Sequence, residues 1–248
     1  MTARPWVWWV LGIGLLLLTC TSTLVHWLTE YWWFGSVGYR DVFQLRLGWS
    51  VLCAVLAFAS YLAVLFFNYW LALRLSRDRP FYAPKNSDWT PLIPGLTFYG
   101  LAALIVLLAA GAAQRGAGAW ELILKFLNPT EFGILDPIYQ QDVGFYVFKM
   151  PVYQGFQQQG IELLIWSLLL ALVIYALRGE IRLERGWKYL LAGPVKVHLC
   201  ALFSAIALFS AFGYWLARYD LLYSASGVVF GAGYTAVNDR LAAYGVMG

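Results

Sequence analysis

The run Gly48–Leu73, GWSVLCAVLAFASYLAVLFFNYWLAL, decides the fold. It contains no Asp, Glu, Lys or Arg, and its one strongly polar side chain is Asn68. At ~1.5 Å per residue a helix of this length outreaches the ~30 Å hydrocarbon core of a bilayer. A helix this apolar on every side belongs in lipid or in the middle of a large core.

The rest of the chain chooses between those two. Runs of the same character occupy 6–28, 92–113, 161–177 and 197–217, and the 248 residues are 61% hydrophobic and 12% charged, about half the charge of an ordinary soluble domain. The expected fold is an all-α integral membrane protein, a single polytopic domain over 1–248 with about five transmembrane helices. The first run is too long for the apolar core of a signal peptide, and no A-x-A site follows it, so it reads as an uncleaved span. Cys20, Cys53 and Cys200 each fall inside an apolar run, where they pack as small hydrophobes. Basic residues are not interleaved with aromatics in one patch, which argues against a nucleic-acid partner.

Between the spans the polar segments differ from one another. His26–Leu47 is crowded with Trp27, Tyr31, Trp32, Trp33, Phe34 and Tyr39, the composition of a membrane-interface belt, and from Tyr39 onward it predicts a short interfacial helix. The connection 114–160 contains NPTEFGILDPIYQQDVGFYVFKMP (Asn128–Pro151), with three carboxylates, and then Gln154, Gln157, Gln158 and Gln159 on a helical extension of the fourth span. In the tail 218–248, Val237, Leu241 and Tyr244 recur at helical spacing and predict a surface helix. Ala109–Ala113, with Gly111, and the pairs Ala201/Ala205 and Ala207/Ala211 are the small-residue faces expected to pack against other helices.

Charge sets the expected orientation. Ten of the 17 basic residues lie in three short segments: Arg4 at the start, Arg74, Arg77, Arg79 and Lys85 after span two, and Arg178, Arg182, Arg185, Lys188 and Lys196 after span four. The positive-inside rule places these in the cytoplasm, so the N-terminus is inside and the 114–160 loop and the C-terminal tail face the periplasm, lumen or exterior. The rule is the same for a bacterial plasma membrane and for an internal, thylakoid-type one.

Three blocks, WWFGSVGYRDVF (Trp32–Phe43), FGILDPIYQQDVGFYVFKMPVY (Phe132–Tyr153) and RYDLLYSASGVVFGAGYTAVNDRLAAY (Arg218–Tyr244), resemble the uncharacterised bacterial membrane-protein family UPF0182 in order and position. The resemblance implies a helical membrane region, usually of seven spans, followed by a large extracytoplasmic domain. Against that plan the chain stops at Gly248, where a sixth span would begin, and Ala236 stands where an acidic residue is expected. The family implies architecture and location and supplies no catalytic residue.

The chemistry open to these residues is limited. Glu131, Asp136 and Asp142 are the candidates for a cation site, since Ca²⁺ prefers oxygen ligands. Asp136-Pro137 is equally a way to open a helical turn. His26 and His198 are the candidates for ligating a metal or the magnesium of a chlorophyll, and aromatic-rich helices would suit a chlorophyll or carotenoid in a phototroph. Trp32, Trp33, Phe34, Tyr139, Phe145 and Tyr146 are the candidates for contact with lipids or partner subunits. The span centres carry no ionisable group, Asn68 lies toward one helix end, and Glu162 and His198 are expected at helix ends within reach of water. The expected function is that of a non-enzymatic accessory, anchoring or assembly subunit of a larger bacterial membrane complex, possible in a photosynthetic one, with permeation of small solutes or lipids by an oligomer as the alternative.

Overall fold

The computed structural model describes residues 5–76, 93–181, 193–223, 231 and 233–247. The helices are α1 (Pro5–Ser36), α2 (Arg40–Leu75), α3 (Ile93–Gly118), α4 (Trp120–Leu127), α5 (Met150–Leu177), α6 (Gly193–Asp220) and α7 (Leu241–Met247), with π-helical turns at Phe145–Lys149 and Ala236–Arg240. Among the described residues the only β pairing is an isolated bridge between Leu135 and Asp142. Among the described residues four helical segments are long and apolar enough to cross a membrane: Arg40–Leu75, Thr97–Gly118, Phe145–Leu177 and Gly193–Asp220. The first expected span, 6–28, lies within α1. Arg4, the loop residues Arg77, Arg79, Lys85, Arg182, Arg185 and Lys188, and the side chains of Cys20, Ala236 and Val237 lie outside the described residues.

Two helix starts differ from the sequence expectation. No separate interfacial helix forms at Tyr39–Leu47, because α2 runs unbroken from Arg40. Gly48 costs a helix interior only about 1 kcal/mol, and nothing beside it removes a backbone donor, so the helix carries through. The fourth span likewise starts well before Ile161, at Met150 with Pro151 in its first turn, where a missing N–H costs nothing. The 114–160 connection is therefore mostly helix, and its irregular part is 128–142.

The chain divides into two compact units, Met1–Leu52 and Cys53–Gly248. In the first, α1 and the start of α2 are joined by a tight turn in which Gly38 takes φ 79° and Tyr39 N–H donates to Phe34 O at 2.9 Å. Phe43 is buried there among the rings of Phe34, Tyr31 and Trp27, with centroids at 5.7, 5.8 and 6.1 Å. Glu30 accepts an ion pair from Arg46 at 3.2 Å.

The second unit is a bundle whose core draws on α2, α3, α5 and α6, including Leu65, Ile105, Ala171 and Val195. Ala109 and Ala112 are buried in it, as the small-residue run of α3 predicts, and Cys53 is buried too. Ala201 and Ala207 are exposed instead, because α6 turns Val195, His198, Leu199 and Leu202 inward. Outward-facing side chains are large and apolar, among them Leu107, Val197 and Leu208, as lipid contact requires. The predicted tail helix forms at α7, and Tyr244 packs against Tyr214 of α6 at 6.1 Å.

Helices approach closely where glycine allows it. A Cβ on Gly116 would meet Cys53 O and the Ala57 Cβ of α2 at 2.7 Å, and one on Gly160 would run into the Phe209 ring of α6. Gly155, one turn earlier on α5, has open space. Gly160→Leu should therefore pry α5 from α6 and cost about 1–3 kcal/mol, seen as a lower thermal midpoint in detergent, with Gly155→Leu as the control whose midpoint does not fall. Equal midpoints for the two variants would contradict this packing.

Candidate functional site

One cluster of polar side chains is buried between three helices. Asn68 on α2, Ser167 and Tyr175 on α5 and His198 on α6 are all buried, Asn68 at 7% and His198 at 6% exposure. The Asn68 amide NH₂ donates to Val64 O at 2.8 Å and to Ser167 Oγ at 3.4 Å, and Ser167 Oγ donates to Leu163 O at 2.8 Å. Asn68 Oδ1 lies 3.1 Å from His198 Nε2, and the Tyr175 hydroxyl lies 2.7 Å from His198 Nδ1. An amide oxygen can only accept, so Nε2 carries the hydrogen and Nδ1 accepts from Tyr175. The imidazole is a neutral Nε2–H tautomer with both nitrogens engaged.

That arrangement corrects one part of the expectation for His198: it lies near the start of α6, as expected, but is buried and not reached by water, and its Nδ1 is engaged by Tyr175. His26 is different: it is exposed on α1, with Nε2 3.6 Å from Glu30. Glu162 is not at a helix end; it sits within α5 and pairs with Arg115 of α3 at 2.8 Å. Beside it the Tyr61 hydroxyl donates to Gln159 Oε1 at 2.8 Å. The glutamines before the fourth span are interhelical ties as well, Gln154 Nε2 donating to Asp220 Oδ1 at 2.9 Å and Gln157 Nε2 to Phe209 O at 3.2 Å.

The acidic stretch is organised by its own backbone. Asp136 Oδ1 accepts from the N–H groups of Ile138 and Tyr139 at 2.8 and 2.6 Å, and Oδ2 from Gln141 N–H and the Tyr146 hydroxyl at 2.9 and 2.8 Å. Asp142 Oδ1 accepts from Phe132 and Gly144 N–H at 3.1 and 2.7 Å, and Oδ2 from Gly133 N–H at 2.8 Å. Glu131 is exposed. The three carboxylates do not converge: among the described residues no group of three or more His, Cys, Asp or Glu could hold a metal ion. The Asp-Pro turn is the realised alternative.

Arg218, at the end of α6, fastens this segment to the bundle. Its guanidinium stands over the rings of Trp215, Tyr219 and Tyr139 at 4.6, 4.8 and 5.5 Å, and its carbonyl accepts from the Tyr139 hydroxyl at 3.2 Å. Tyr139 and Phe145 pack on Tyr219 with centroids at 4.6 and 5.2 Å. Tyr146 is buried, so it is an internal staple and not the contact residue expected of it. Trp32 and Trp33 are exposed, and Phe34 packs on Phe43. The exposed large apolar residues of segment 128–144 are Phe132, Ile134, Leu135 and Ile138, which the sequence did not single out. Only the folded loop shows which of its apolar residues remain uncovered.

Burial alone would raise the Asp136 carboxyl, but the bonds from Tyr139, Gln141, Tyr146 and Ile138 outweigh it and hold it below the ordinary carboxylate range. Bonds from the backbones of Phe132 and Gly144 hold Asp142 low as well. Folded values below unfolded ones mean stabilisation that is present above the unfolded pKa of ~3.9 and lost as pH falls through the folded values. Protection of the Tyr139 and Gly133 amides against hydrogen exchange should therefore hold from neutral pH down to about pH 4 and fall as the pH is lowered further, with amides in the core of α5 unaffected. In the spans, Tyr175→Phe should cost about 1 kcal/mol and His198→Ala about 2–4 kcal/mol in detergent unfolding, and the double variant should cost less than their sum.

The uncharacterised protein family UPF0182 matches residues 7–248. A UPF0182 protein of Trichodesmium erythraeum is 38% identical over 241 residues, covering 96% of this chain and 26% of the relative. UPF0182 proteins of Bradyrhizobium diazoefficiens and Moorella thermoacetica are each 33% identical, over 96% and 90% of this chain. The chain thus spans about a quarter of the length of the curated relatives it matches. No solved structure matches it significantly. With the family matched over nearly every residue, and the three blocks forming the α1–α2 turn, the Asp-held loop and the Arg218 fastening, the chain belongs to the uncharacterised protein family UPF0182.

Proposed function

We propose that the chain is a non-enzymatic anchoring or assembly subunit of a larger bacterial membrane complex, with five spans, N-terminus in and C-terminus out, in the plasma membrane or an internal one. The observation that carries this reading is the segment 128–144. Its two aspartates are spent on its own backbone, and Tyr139, Phe145 and Tyr146 fix it to the end of α6. Phe132, Ile134 and Leu135 are then displayed on a rigid frame. Apolar side chains on a preformed surface are what a protein contact needs, because little ordering entropy remains to be lost on binding. The relatives' length is in keeping with the reading, since about three quarters of their polypeptide lies outside the matched region. In this reading α7 lies at the outward surface, and Trp32 and Trp33 meet lipid or neighbouring subunits.

A second reading, permeation of small solutes or lipids by an oligomer, draws on the polar groups at two depths of the bundle, Arg115–Glu162 and Asn68–His198. Mild detergent extraction from native membranes, a native gel and mass spectrometry separate the two. The anchoring reading expects a partner in fixed stoichiometry that is lost from Ile134→Asp and Leu135→Asp variants with unchanged helical content. A chain that runs alone, and whose solute flux in vesicles disappears on Asn68→Ala or Glu162→Gln, would replace it with the permeation reading.

A further inference from the structure

A groove runs between α3 and α5 on the surface of the bundle. Its floor is Leu65 of α2 and Ile105 of α3, both fully buried, and its walls are Leu104 and Leu108 of α3 and Trp166 and Val173 of α5. Leu104 is 37% and Val173 44% exposed, so the rim is open where the floor is closed. The cavity measures about 280 Å³, and every described side chain lining it is Leu, Ile, Val or Trp. An apolar cavity of this kind stays dry, and an empty one forfeits the dispersion contacts of its lining. In a membrane the space is filled by hydrocarbon. A helix, ~10 Å across with its side chains, would touch only the rim, whereas a single methylene chain reaches the floor.

The same two helices carry a charge pair beyond one end of the groove. Arg115 lies seven residues after Leu108 on α3 and Glu162 four before Trp166 on α5, and the two meet at 2.8 Å. Arg115 also stands over the Tyr61 ring at 5.9 Å, which holds the guanidinium in place. The two side chains nonetheless remain 45% and 35% exposed, and their bond uses one of the five guanidinium donors. Leu104 and Val173 each lie eleven residues from the pair, ~16 Å along a helix and close to half of a ~30 Å hydrocarbon core. The groove thus reaches the depth of one leaflet beneath a polar cap. We propose that it is the binding site of one phosphoethanolamine-type phospholipid, with an acyl chain in the groove, the phosphodiester on Arg115 and the ammonium on Glu162. A zwitterionic headgroup complements a zwitterionic pair, whereas a net-anionic one would set its surplus charge beside Glu162. The bound chain fills the gap between α3 and α5. The site goes beyond the anchoring reading: it requires α3 and α5 to span a membrane and involves no partner protein.

The test takes the full chain, delipidated by detergent exchange, and titrates it with phosphatidylethanolamine or phosphatidylglycerol of the same acyl chains under native mass spectrometry. The expected result is one tightly held phosphatidylethanolamine per chain, bound several-fold more tightly than phosphatidylglycerol. Leu104→Trp, which fills the groove from its exposed rim, should lose that lipid, and Leu107→Trp, exposed outside the groove, should keep it. Leu104→Phe is the smaller filling to use if the tryptophan variant does not keep its helical content. The double variant Arg115→Gln/Glu162→Gln, which leaves neither charge unpaired, should bind the two lipids equally. Retention of the lipid by the filled groove would overturn the proposal, as would equal affinity of the unsubstituted chain for the two headgroups. A second copy of the chain or an isoprenoid retained in place of the phospholipid would overturn it as well.

Discussion

A polar side chain at membrane depth has no water to bond with, and each one left unpaired costs free energy on the scale of the whole fold's stability. In this bundle the demand is met by Asn68, Ser167, Tyr175 and His198, which satisfy one another across three helices. Interhelical hydrogen bonds in lipid are individually modest, on the order of 0.6 kcal/mol. Their larger effect is on register: a shift of α6 along α5 would separate the imidazole from both of its partners at once. The network therefore selects one arrangement of α2, α5 and α6 from among the many that apolar packing alone would tolerate.

Helix α5 extends the same logic over its whole length. From its N-terminal end it is tied to α6 through Gln154 and Gln157, to α2 through Gln159, to α3 through Glu162, to α2 again through Ser167 and to α6 through Tyr175. Successive residues rotate by about 100° around a helix, so polar residues spaced irregularly along α5 reach different neighbours at different depths. Between the ties, glycine and alanine let the backbones approach, as at Gly160 against Phe209. The segment 128–144 is built on the end of this frame, and the cage of rings around Arg218 joins the two.

The spans were legible because lipid imposes one simple pattern, and 48–73 and 197–217 lie within α2 and α6 as that pattern requires. Helix ends were less legible. The glutamines ahead of Ile161 look like solvent-facing residues until α6 and α2 supply partners for them. The polar network was hidden for a related reason: Asn68 and His198 are 130 residues apart, and Ser167 and Tyr175 read as incidental polarity in an apolar run. One signal was available. Asn68 lies seven residues before the end of α2 and His198 five after the start of α6, so both sit at similar distances from their neighbouring helix ends. In the loop, Asp136-Pro137 announced its turn, whereas the use of Asp142 by Phe132, Gly133 and Gly144 depends on backbone brought together only by folding.

The central claim is that the polar groups inside the spans are spent on one another and hold the bundle in register. Nitrogen-15 solid-state NMR of histidine-labelled protein in lipid bilayers tests it most directly, because the chain has only two histidines and a His26→Asn variant leaves His198 alone. The account predicts a single neutral Nε2–H tautomer, with Nδ1 shifted by an accepted hydrogen bond and slow exchange of the ring proton with water. A mixture of tautomers, or rapid exchange, would show a histidine open to water and to a permeation path, and would contradict it.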